Sequence, residues 1–158
     1  MNDVLEWVEK AAIANLRDHL QAAEGIAKEA NQTLAMMMAA LGGAFGLAIG
    51  ATDFRFSAGA MAAFLFVACV ALVMKCLVVD EFPSIANEPK NLLQEEFELA
   101  QLRKTELKNM QARIEDAAKR NIARSLSLNR VRLAGIFSPA VFLLAEAARL
   151  CVAALAAV

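Results

Sequence analysis

The sequence predicts an all-α membrane protein: three transmembrane helices, an N-terminal amphipathic helix and a cytoplasmic helical stalk. Three observations carry this expectation. Ala30 to Thr52 and Phe56 to Met74, 23 and 19 residues, hold no charged side chain, and about 20 apolar residues at ~1.5 Å each cross the roughly 30 Å of bilayer hydrocarbon. A third apolar stretch runs from Leu133 to Val158. Hydrophobic residues reach 59% beside 21% charged ones, because the charges are gathered into blocks outside the first two windows. The chain therefore divides into residues 1–29, an amphipathic helix; 30–52 and 56–79, the first two spans; 80–132, a cytoplasmic helical segment; and 133–158, the third span. Helices are required in the bilayer because only they satisfy their own backbone polar groups there. With 158 residues, much of the apolar surface must be covered by lipid or by other copies of the chain, which predicts a homo-oligomer.

In the first block Leu5, Val8, Ala12, Leu16, Leu20, Ala23 and Ala27 recur at three- and four-residue steps, an apolar stripe that wants a partner helix. Lying flat on the membrane is the competing reading, but the polar face carries mixed charge rather than the Lys/Arg-rich face of interfacial helices. No proline interrupts the block, so one helix is predicted to run from it into the first span. After the second span, Pro83 and Pro89 each remove an amide donor and predict a turn. From Asn91 to about Leu128 a second amphipathic helix follows, with Leu93, Phe97 and Ala100, then Leu107, Met110, Ile114, Ala118 and Ile122 in period. The two amphipathic helices are predicted to pair antiparallel as the stalk.

Charge sets the orientation. Of 16 Lys and Arg residues, three precede the first span, eleven lie between Lys75 and Arg132, and only Arg55 occupies the hairpin loop. By the positive-inside rule the N-terminus and the central block face the cytoplasm. The acidic opening has no basic region leading into a short apolar core, so no cleavable signal is read and the first span serves as the insertion signal.

Several chemistries have no residues to carry them. His19 is the only histidine, and Cys69, Cys76 and Cys151 lie in or beside spans, so no metal site, cofactor or catalytic constellation is predicted. The chain is not read as an enzyme. The formal net charge of −1 and the absence of a basic arm with interleaved aromatics set DNA and RNA aside.

Three groups of residues are functional candidates. Gly42, Gly46 and Gly50 fall four apart on one face of the first span, widened by Ala35, Ala39 and Gly43 and answered by Gly59 and Ala63 of the second. Such a face lets another helix approach closely, within the hairpin or between subunits. Glu146 and Arg149 lie three apart in the middle of the third apolar stretch, where each charge costs about 2.5 to 3.5 kcal/mol unless it faces protein or water; pairing with one another is the plain reading, and lining a water-filled path or latching a closed state the sharper one. Only 13 charge-free residues precede Glu146, and Pro139 lies among them, so a re-entrant segment is the alternative to a full crossing. Finally Lys119, Arg120, Arg124, Arg130 and Arg132 crowd the approach to that segment. Anionic headgroups explain them first. A phosphorylated small ligand is the other reading, held by Arg113, Lys119, Arg120 and Arg124 with neutral contacts from Asn121, Ser125 and Asn129.

The layout resembles the small bacterial antiphage membrane effectors of Pycsar and related SLATT type. The residues that carry the resemblance are Glu24-Gly25-Ile26-Ala27-Lys28-Glu29-Ala30-Asn31 entering an Ala/Gly/Met-rich span, the short Asp53-Phe54-Arg55 turn, and Lys119-Arg120-Asn121 leading to Arg130-Val131-Arg132. It is a resemblance of architecture over most of the chain, and no ligand or pore residue is carried over by position. It implies an oligomeric effector in the bacterial inner membrane that, on receiving a nucleotide second messenger, oligomerises or rearranges and alters membrane permeability or potential. The competing expectation is a non-conducting membrane anchor or immunity-type protein that binds another membrane protein.

Overall fold

Nothing between Asn2 and Gly50 stops a helix: there is no proline, and before the apolar window only one glycine, Gly25. In the computed structural model, which describes residues 2–78, 84–85 and 97–156, helix α1 accordingly runs unbroken over Asn2–Gly50. Its last turn closes with the Ala51 amide on the Leu47 carbonyl at 2.9 Å, and Arg55 Nε donates to the Ala48 carbonyl at 3.2 Å, one of the acceptors a helix end leaves unmatched. A short turn leads to α2, Arg55–Leu72, which continues through a π-helical turn, Val73–Leu77. Helix α3 covers Leu99–Ala156. The predicted proline turns at Pro83 and Pro89, and the start of the central helix at 91–96, lie outside the described residues.

Each of the three helices is long and apolar enough to cross a membrane, and no strand occurs among the described residues. The described residues are thus all-helical, with three candidate membrane spans. The step from stalk to third span at Arg132 is a change of side-chain chemistry and not of backbone, because no glycine or proline occurs from Leu99 to Ala134. Pro139 lies inside α3 without ending it. A proline there cannot donate to the carbonyl four residues back, that of Gly135; the neighbouring Ser138 hydroxyl donates to that carbonyl instead, at 2.8 Å. Hydroxyl side chains re-satisfying a freed backbone group are what make proline tolerable in an apolar helix.

Contacts gather into two compact units, residues 1–26 with 79–124 and residues 27–78 with 125–158. In the first, Leu16 is fully buried against Met110, Ile114 and Ala117, with Ala12 and Ile13 packed beside it. The buried α3 positions Met110, Ile114, Ala117 and Asn121 alternate steps of four and three, the signature of a left-handed coiled seam. Arg103 forks onto Glu9 with two bonds of 2.7 Å, and Asn121 Nδ2 donates to the His19 carbonyl at 2.7 Å. Residue 9 thus meets 103 and residue 19 meets 121, so the two helices run parallel. The antiparallel expectation is corrected by a topological fact: two helices that each continue into an apolar span, with one returning span between them, share a direction.

The second unit holds the apolar windows. Its α2 seam, Ala58, Ala62, Leu65, Cys69, Leu72 and Cys76, again alternates four and three, and all six are buried. Also buried in this unit are Ala30, Thr33, Met37, Leu41 and Ala44 of α1 and Leu128, Val131 and Ser138 of α3. Small residues dominate these seams because, without water to expel, helices associate in lipid through close packing.

Candidate functional site

The three candidate groups occupy distinct environments. At 3.6 residues per turn, Gly42, Gly46 and Gly50 fall within about 40° of the line opposite Met37, one of the side chains that α1 buries inside the second unit. A Cβ built on Gly42, Gly43, Gly46, Gly50 or Gly59 meets no atom within 4 Å. The glycine face is therefore not spent on packing α1 against α2; Gly42, Gly43, Gly46 and Gly50 are exposed, and Gly59 is half-buried. Beside it Met38, Leu41, Gly42, Phe45, Phe66 and Cys69 line an open apolar groove of about 690 Å³.

Glu146 and Arg149 form the pair their spacing predicts, with Arg149 Nε and Nη2 donating to Glu146 Oε1 at 3.1 and 2.5 Å. The other carboxylate oxygen, Oε2, accepts from Ser57 Oγ at 2.5 Å. Ser57 is fully buried in the first turn of α2, and the Phe54 and Phe142 rings lie 5.9 Å apart one turn before the pair. These contacts revise the position read from the sequence: the charges sit level with the hairpin turn rather than midway along the apolar path. The penalty for charge falls toward an interface, and both carboxylate oxygens are bonded. Ser57 carried no sequence signal, since only the folding of α2 against α3 brings residue 57 to residue 146.

The basic candidates divide. Arg113, Arg120 and Arg124 lie seven and four apart on one edge of α3, each half-buried, whereas Lys119 is exposed. Arg113 binds Glu106 and donates to the Ser84 carbonyl at 3.1 Å; Arg120 pairs with Asp116 at 2.9 Å. A phosphate arriving here competes with two carboxylates. Asn121 is not part of such a surface: it is 7% exposed in the seam, bonded to His19. The signal was present in its spacing from Ile114 and Ala117, which puts it in the buried phase of the heptad. No cluster of metal-ligating side chains occurs among the described residues.

Compared with protein-family models, curated proteins and solved structures, the chain matches none.

Proposed function

We propose that this protein is an oligomeric inner-membrane effector that alters membrane permeability or potential in response to a cytoplasmic signal, in the setting of antiphage defence, with a nucleotide second messenger as the signal. One observation carries the reading: the α1 glycine face points away from the chain's own core and meets nothing within it. A run of glycines facing lipid gives poor van der Waals contact, whereas the same face against a second helix allows close backbone approach. A second copy of the chain is the natural occupant. In this reading the signal shifts the assembly between two packings, and the arginine edge of α3 is where a phosphorylated ligand displaces Glu106 and Asp116.

A second reading is favoured by the satisfied Ser57–Glu146–Arg149 set, which leaves both carboxylate oxygens engaged rather than available to a permeating ion. It makes the protein a non-conducting anchor or immunity-type partner of another membrane protein.

The test is membrane potential, read with a dye in bacteria expressing the chain beside its neighbouring genes, before and after phage challenge. Depolarisation that requires both the chain and the challenge is the expected result. Gly46→Leu should abolish it at unchanged insertion, since a Cβ added there meets no side chain of the described residues within 4 Å while the bulk of leucine blocks a neighbour's approach. Depolarisation that survives in Gly46→Leu would sink the glycine-face reading. An unchanged potential in the parent, with expression and infection verified, would transfer the assignment to the anchor reading.

A further inference from the structure

A cavity of about 450 Å³ in the second unit is lined by residues of all three helices, and its lining is sorted by polarity. Gln32, Thr33 and Arg132 stand at one end, beside the last charges before the apolar windows, while Met36, Met37, Ala40, Leu65 and Ile136 form the rest. Gly135 contributes a wall without a side chain.

The polar end is built around a fixed guanidinium. Thr33 Oγ1 donates to the Glu29 carbonyl at 2.8 Å and accepts from Arg132 Nε at 3.1 Å, while Arg132 Nη2 meets Glu29 Oε2 at 2.9 Å. Two contacts thus orient the fork, and Nη1 meets no acceptor among the described residues. Lys28 lies one turn before Gln32 on the same face of α1, which brings a second cation to the Arg132 end and leaves Lys28, Glu29 and Arg132 summing to one positive charge.

A chamber that is cationic at the membrane boundary and apolar toward the membrane interior complements an amphiphile with an anionic head and a hydrocarbon tail. We infer that this cavity is a binding site for an anionic phospholipid, its phosphate on Arg132 and Lys28 and one acyl chain along Met36, Ala40, Leu65 and Ile136. A nucleotide is a poor fit, since its base and sugar would face the thioethers and alkyl groups of the lining.

The test uses the full chain in bilayers. Trp7 is the only tryptophan, so Trp7→Phe with Ile136→Trp places one fluorophore at the cavity wall, where Ile136 is exposed. Its quenching is titrated with bromine-labelled phosphatidylglycerol and, separately, phosphatidylcholine. Saturable quenching that favours phosphatidylglycerol about fivefold is expected, the effect of roughly one basic residue near a headgroup. Arg132→Gln should bring the ratio close to one, and Lys28→Gln, at an exposed position outside the packing, should lower it without disturbing the fold. Ala40→Phe should remove the saturable phase by filling the chamber. Equal quenching by both lipids in the parent, or a ratio unchanged by both charge substitutions, would overturn the site in favour of bulk lipid. A tryptophan quenched by neither lipid would overturn it in favour of a second copy of the chain.

Discussion

Glu9 and Arg103 show how one pair of side chains ties two distant stretches of sequence together. The guanidinium forks onto both carboxylate oxygens, and those hydrogen bonds, ahead of the pair's simple charge attraction, hold the Glu9 carboxyl below its ordinary value while raising Arg103. A carboxyl whose folded pKa is depressed stabilises the fold above its unfolded pKa, and that contribution fades as pH falls through the folded value. Glu9→Gln should therefore lower the thermal midpoint of the detergent-solubilised protein at pH 7, and the gap to the parent should narrow below the ordinary carboxylate value of 4.5. A gap that stays constant down to pH 3 would contradict the assignment. Neither partner was legible as such, since nothing in the sequence singles out Arg103 among eleven central cations. Asn121 was legible in position and misread in role: its amide suits a ligand contact by type, but its heptad phase buries it, with Oδ1 unpartnered among the described residues. A buried polar residue at such a position sets register at a cost in stability.

Among the helices, α3 is the one whose continuity needs explaining. Proline inside a helix costs ~3 kcal/mol or more when the freed carbonyl stays unmatched, and here the Ser138 hydroxyl covers it. Ser138→Ala should destabilise the protein by about 1 kcal/mol, and the same change in a Pro139→Ala background should cost close to nothing, because the restored amide takes over the Gly135 carbonyl. Equilibrium unfolding in mixed detergent, followed by helicity, reads the four corners of this cycle; equal costs in both backgrounds would show that the serine bond does not serve the proline. The existence and length of α1 and α2 were readable from charge-free windows and missing prolines. That α3 is a single helix was not, because a hydropathy step at Arg132 resembles an element boundary when only composition is weighed. The parallel pairing of α1 and α3 follows from an odd number of spans and could have been deduced before any contact was known.

For the molecule as a whole, the distribution of basic residues is the property that sets topology. The block from Lys75 to Arg132 carries eleven cations and the hairpin turn one, so in bacteria the turn should be translocated and the amphipathic segments retained. In a background with all three cysteines replaced, Asp53→Cys should react with a membrane-impermeant maleimide in intact spheroplasts, and Lys104→Cys only after lysis. The reverse pattern would invert the protein, and two sites labelled alike would show that the hairpin does not cross. The last turns of α3 continue past the level of the hairpin turn and bear on association: Leu150, Val152 and Leu155 are 56%, 66% and 78% exposed, an apolar surface that the described residues leave uncovered.

By itself the sequence determined that this is a helical membrane protein, because a charge-free window of bilayer length and the lack of helix breakers act locally, through the cost of desolvating charge and backbone. It also determined that Glu146 would pair with Arg149, since one helical turn separates them. Tertiary structure decided everything that depends on which faces meet. It set Ser57 on Glu146, placed Asn121 in the seam rather than on a ligand surface, and turned the glycines of α1 outward. Those outcomes depend on the rotational phase of each helix against its neighbours, a sum of many small packing energies that no single residue in the sequence announces.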